Sequence, residues 1–150
     1  TLTYGNSAYY AAGDANAATA PFFAALAIDA DFGTGFALDS ATDTLAITFD
    51  PNFEEFFTLG ALGLDVTSLA SLDILNGALF GALSGDASTS ALYSIDSATG
   101  AATFVGDFGT GITGLALSQT SAVPEPSTYG LFGALVLAGF VVLRRRQRAA

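Results

Sequence analysis

Every positively charged side chain in this 150-residue sequence sits at Arg144, Arg145, Arg146 or Arg148. All of the 14 acidic residues except Glu125 lie in the stretch 1–123, with no Lys, Arg or His to oppose them. That stretch cannot be held together by side-chain salt bridges. Its fold must come from apolar burial and from hydrogen bonds to backbone and neutral groups. Without cations it cannot neutralise phosphates, which excludes DNA and RNA as partners. An acidic, Lys-free body rich in Ala, Gly, Ser and Thr suits a protein that stays soluble outside the cytoplasm.

The missing residue types narrow the chemistry further. With no Cys and no His, disulfides, thiolate or imidazole metal sites, Cys nucleophiles and Ser-His-Asp triads are unavailable. Without Lys there is no Schiff base and no Walker-type phosphate loop. A metal site would need oxygen ligands and a hard cation such as calcium. The expectation is therefore no catalytic residue, no metal and no cofactor. The sequence also lacks Met, which points to a mature or partial chain.

The last thirty residues are of a different kind. Residues 119–128 form a linker containing Pro124, Glu125 and Pro126, kept extended because Pro disfavours helix at the residue before it. From Tyr129 to Leu143 there is no charge over 15 residues, and the Arg cluster follows at once. As a helix this run is roughly 22 Å long at about 1.5 Å per residue. The hydrocarbon core is ~30 Å thick. Ser127, Thr128 and the aliphatic stems of the Arg residues make up much of the difference. Tyr129, Leu131, Phe132, Leu135, Val136, Leu137, Phe140, Val141, Val142 and Leu143 are apolar on every face, unlike a surface helix of a soluble domain. The expectation is a transmembrane anchor over 129–143, with Arg144, Arg145, Arg146 and Arg148 as a stop-transfer signal in a cytoplasmic tail at 144–150.

Pro124-Glu125-Pro126, a short apolar helix, an Arg cluster and the chain end, in that order, resemble the PEP-CTERM sorting signal of Gram-negative bacteria. The resemblance covers about residues 123–150. It implies export, single-pass anchoring in the inner membrane with the body outside the cytoplasm, and recognition of Pro124, Glu125 and Pro126 by the processing enzyme exosortase. Removal of the helix and basic tail would then deliver the protein to the cell surface or beyond.

The body contains internal repeats. Asp39-Ser40-Ala41-Thr42-Asp43 recurs 57 residues later as Asp96-Ser97-Ala98-Thr99-Gly100. Leu59-Gly60 and Val66-Thr67-Ser68-Leu69-Ala70 recur 46 residues later as Val105-Gly106 and Ile112-Thr113-Gly114-Leu115-Ala116. The two spacings predict 11 extra residues in the first copy, at an elongated hairpin around Asp50–Glu55. Two units follow, over 21–75 and 76–118, after an N-terminal segment at 1–20. Strands are expected at 78–83, 91–95, 102–105 and 112–117, separated by turns. Asp39 and Asp96 are expected to accept backbone N–H groups ahead of them, and Gly100 to supply a positive φ. Asp43 takes the place of that Gly in the first copy, tolerable because Asp visits the left-handed region. Four short strands per 40–45 residues is the size of a β-propeller blade.

Leu92-Tyr93-Ser94-Ile95-Asp96-Ser97-Ala98-Thr99-Gly100 with Phe104-Val105-Gly106 resembles the repeat of an uncharacterised family of secreted bacterial proteins, a domain of unknown function. Leu62–Thr67 resembles another of its recurring stretches. The resemblance implies a mainly β fold of propeller-like blades, each of four antiparallel strands, and no activity. Two blades cannot close a ring, so the body is expected to be part of a longer domain or to have its open edges covered.

Several motifs tempt a catalytic reading. Gly109, Gly111 and Gly114 satisfy a dinucleotide fingerprint, but that motif needs a helix beginning within it. Asp-Phe-Gly-Thr-Gly occurs at 31–35 and 107–111 without the rest of a kinase. Asp29-Ala30-Asp31 begins like a calcium loop and breaks at Phe32. Glu54 and Glu55 are adjacent and would point to opposite faces of a strand. Phe53, Phe56 and Phe57 form either an exposed platform or the packing of their own hairpin. The leading expectation is a non-enzymatic surface or matrix module with exosortase and the inner membrane as partners, and exopolysaccharide or another matrix component as candidate ligand. The alternative is an extracellular polysaccharide hydrolase or lyase working through carboxylates.

Overall fold

The computed structural model describes residues 7–29, 33–118, 134–136 and 144, and the chain divides into two compact units, 1–118 and 119–150. The first unit is mainly β, as the alternating apolar runs and turn residues predict. Its strands form two open sheets.

In the first sheet β2 (Phe23–Asp29), β3 (Thr34–Asp39), β4 (Thr44–Thr48) and β5 (Glu55–Ala61) make an antiparallel meander. A two-residue β1 (Tyr9–Tyr10) pairs parallel with the outer edge of β5. Central β3 is covered on both sides, which explains its uninterrupted Gly-Phe-Ala-Leu run. Phe36 and Leu38 face the second sheet. Ala37 faces the other way with Ala46, Phe56 and Tyr10. The second sheet repeats the meander in β6 (Ala70–Leu75), β7 (Ala78–Leu83), β8 (Ala91–Ile95) and β9 (Ala102–Asp107). One core joins the sheets, with Leu38, Leu45 and Leu62 from the first meeting Leu72, Leu79, Leu83 and Ile95 from the second.

The 46-residue spacing is structural. Register shifts between Leu45 and Ala46 against Gly60 and Thr58, leaving Leu59 as a bulge. It shifts in the same way between Leu92 and Tyr93 against Gly106 and Phe104, leaving Val105 as the counterpart bulge. Such bulges bend the outer strand and increase its twist.

Three details of the expected layout are corrected. The strand at 70–75 pairs with β7 rather than β5, so the second sheet begins before residue 76. No strand forms at 112–117; that segment runs beside β6, where the Leu117 N–H donates to Asp73 at 2.6 Å. Finally, the two Asp-Ser-Ala-Thr turns are not equivalent. Asp39 opens the β3–β4 turn and Asp96 the β8–β9 turn, so the 57-residue spacing links different hairpins and no 11-residue insertion follows from it.

In the second unit Ala134, Leu135, Val136 and Arg144 are helical. The remaining residues of the expected anchor lie outside the described residues. Among the described residues no helix is long and apolar enough to cross a membrane.

Candidate functional site

A body without cations must satisfy its carboxylates in another way, and it does so with backbone N–H groups. Asp50 accepts from Asn52 and Glu54 at 3.0 Å each and from Glu55 at 3.3 Å, shaping the β4–β5 hairpin. Asp96 accepts from Ala98 at 2.8 Å and Thr99 at 3.3 Å, while Gly100, at φ +80°, closes the turn onto the Asp96 carbonyl. Asp43 adopts φ +53° and accepts the Val66 N–H at 2.8 Å. Asp86 accepts from Ser88 and Thr89 N–H groups and from the Ser84 and Thr89 hydroxyls. Sequence reasoning reaches the turn at Asp96 because Asp followed by small hydroxyl residues is the usual pattern for capping one's own loop.

Other carboxylates tie distant segments, and local pattern gives no sign of them. Asp14 accepts from Thr58 N–H at 2.7 Å, Thr58 Oγ at 2.6 Å and Asn16 N–H at 2.9 Å, binding the N-terminal loop to β5. Asp39 is fully buried and accepts from Tyr10 Oη at 2.6 Å, Ala41 N–H at 2.8 Å and Phe22 N–H at 3.1 Å.

Hydrogen bonds set the direction of the pKa shifts. At Asp14 burial pushes the carboxyl up, but the bonds from Thr58 and Asn16 outweigh it and hold the value below the ordinary range. The Asn52 and Glu54 amides lower Asp50, the Thr89 and Ser88 amides lower Asp86, and the Ala98 amide lowers Asp96. Groups with depressed native values stabilise the fold fully above the unfolded-state pKa near 4, and that contribution disappears as pH falls through the native values. The melting temperature followed by circular dichroism is expected to drop as pH is lowered below about 4. A melting temperature that keeps rising down to about pH 2 would contradict ionised, turn-capping aspartates.

One cleft of about 310 Å³ opens beside the β7–β8 loop, lined by Leu83, Gly85, Asp86, Thr89, Ser90, Ala91, Tyr93 and Asp107. It presents two carboxylates and a phenol, and nothing positive. Ser90 is committed to the fold, its Oγ accepting the Ile112 N–H at 3.0 Å. Among the described residues no three metal-ligating side chains converge.

The tempting motifs resolve locally. Gly109–Gly114 is an irregular segment after β9 with no helix opening in it. Phe56 is core and Phe53 packs beside it, while Phe57 is exposed, so these three do not form a single platform. Ala30 and Asp31 lie outside the described residues, as do Pro124, Glu125, Pro126, Tyr129, Leu131, Phe132, Leu137, Phe140, Val141, Val142, Leu143, Arg145, Arg146 and Arg148.

Fold and turns together define an all-β domain braced by aspartates rather than by ion pairs. The chain belongs to the family described as Domain of unknown function (DUF4394), whose family model matches residues 1–116. Residues 122–146 match the PEP-CTERM protein-sorting motif, which implies a secreted protein processed by exosortase and delivered to the cell surface. None of the curated proteins matches the chain.

Proposed function

We propose that this chain is a non-enzymatic structural or binding module of the cell surface or extracellular matrix, built from propeller-like blades and sorted through its carboxyl end. Residues 129–143 anchor the precursor in the inner membrane, Arg144–Arg148 stay in the cytoplasm, and exosortase acts at Pro124-Glu125-Pro126. The observation that carries this reading is the sorting motif at 122–146, joined to a body without a single side-chain cation. The two related four-stranded meanders with matching bulges support the blade-like description.

Among the described residues, the cleft containing Asp86 and Asp107 offers the carboxylate hydrolase or lyase a pair of acids. A general acid in glycoside cleavage needs a raised pKa. Asp86 has the opposite, because its own loop amides favour the charged form. That leaves Asp86 unsuited to the general-acid role.

The test is a processing assay in the exporting cell. Surface-recovered protein is expected to lack Arg144–Arg148 by mass spectrometry. Replacing Pro124, Glu125 and Pro126 by Ala should leave an unprocessed species in the inner-membrane fraction. Mature surface protein that retains the Arg cluster, or normal processing of the triple-Ala variant, overturns the sorting step.

A further inference from the structure

Strand alternation gathers exposed aromatic rings on one face of the first sheet. Tyr10 and Phe56 belong to the smaller core cluster, so their strand neighbours Tyr9, Glu55 and Phe57 point to the opposite face. Ala46 belongs to the same small cluster, which puts Ile47 on that opposite face, directly across from Phe57. Phe49, one residue past the end of β4, adds a further exposed ring at this end of the sheet. Deeper in the sheet this face is buried against the second sheet through Phe36, Leu38 and Leu45. Toward the β4–β5 hairpin it is uncovered: Phe49 is 64% exposed, Tyr9 47% and Phe57 41%. An apolar row that continues a packed interface into solvent is a typical interaction surface.

The row is preorganised. Asp50 holds the hairpin through three amides, and Phe53, at φ +55°, packs underneath it. Little ordering is therefore needed on binding. Its chemistry is one-sided. Glu55 lies within the row and Glu54 and Asp50 beside it, while no side-chain cation exists anywhere in residues 1–143. Anionic partners are repelled. Guanidinium and ammonium groups are attracted by the field of the body and can stack on the open ring faces.

We infer that Tyr9, Phe49, Glu55 and Phe57 form a docking surface for an Arg- or Lys-rich polypeptide segment. This goes beyond the export reading and does not rest on it. The measurement is fluorescence anisotropy of a labelled octa-arginine peptide titrated with the full-length chain in a neutral detergent at low salt. Both Phe rings are exposed, so the double substitution Phe49→Ala/Phe57→Ala leaves core and net charge unchanged. It separates the row from the diffuse attraction of an acidic body. The expected result is binding that weakens about tenfold in the double variant and weakens further with Glu55→Gln.

Three results overturn the inference. The peptide fails to bind; it binds the double variant as tightly as the parent; or neutral dextran binds instead and is lost in the same variant, making the row a saccharide platform. None of these outcomes alters the processing assay, which is read in cells.

Discussion

Replacing Gly60 by Ala is expected to remove about 3–5 kcal/mol of stability, a large part of what a domain of this size has. Gly60 lies in β5, where the strand end meets the β8–β9 turn of the other sheet. A Cβ there would overlap the backbone carbonyl oxygen of Thr99. The reciprocal position is as constrained: a Cβ on Gly100 would lie 2.5 Å from the Gly60 carbonyl oxygen, and its φ of +80° is already unfavourable for an L side chain. Neither backbone can give way cheaply, because the turn is tied to the first sheet by the Ala102 N–H to Leu62 carbonyl bond at 3.0 Å, with Leu62 itself in the core. Two controls isolate the contact from the backbone conformation. Gly77 has φ +77° and nothing within 4 Å of a new Cβ, so Gly77→Ala should cost only about 1–2 kcal/mol. Gly106 has neither a positive φ nor a neighbour within 4 Å, so Gly106→Ala should be close to neutral. Urea denaturation of the four variants reads the order directly. Equal losses at positions 60 and 77 would mean that the sheets do not meet as described.

That contact also shows how far the sequence could be read. Leu59-Gly60 and Val105-Gly106 are visible as a repeated pair, and the structure makes them the same bulge in two sheets. Strands at 78–83 and 91–95 are legible as apolar runs between turns, the run at 102–105 extends to Asp107 in the structure, and Asn76-Gly77 bounds β7 as a two-residue turn with both φ values positive. The phase of the repeat is not legible. A periodic sequence looks the same wherever it is cut, and only hydrogen bonding shows that Ala70–Leu75 opens the second sheet instead of closing the first. The Asp-Ser-Ala-Thr match misleads for a related reason. Its chemistry is local, capping the backbone two residues ahead, so it fits a β3–β4 turn as well as a β8–β9 turn. The aromatic row is missed because it draws on three strands whose order in the sheet, with β1 added beside β5, no local pattern encodes. The sorting motif is legible by resemblance, and the family model for it matches residues 122–146.

Asp39 carries the second large expectation. Its carboxylate is shut off from solvent and meets no counter-ion among the described residues, yet it collects three donors from three places: the Tyr10 phenol, the Phe22 amide that leads into β2, and the Ala41 amide of its own turn. Truncation by Asp39→Ala leaves all three unsatisfied or forces water into the site, at a cost of about 4 kcal/mol if each orphaned donor costs roughly 1–3 kcal/mol and partial relaxation recovers some of it. Tyr10→Phe removes one charge-assisted bond and should cost about 1.5–3 kcal/mol. Asp39→Asn should be milder than Asp39→Ala, since its Oδ1 can still accept both amides while the phenol rotates to accept from the new NH₂ group. Chemical-denaturation midpoints should therefore fall from the parent to Asp39→Asn and Tyr10→Phe, and be lowest for Asp39→Ala. A matching signature appears at high pH. Burial, followed by the bond to Asp39, raises the Tyr10 pKa to about 12. A raised native value stabilises the fold fully below the unfolded-state pKa of about 10 and ceases to do so as pH climbs through the native one. The parent should therefore lose this stability progressively between about pH 10 and 12, and Tyr10→Phe should lack that loss. An Asp39→Ala variant as stable as the parent would mean the N-terminal segment is not fastened to the sheet through this carboxylate.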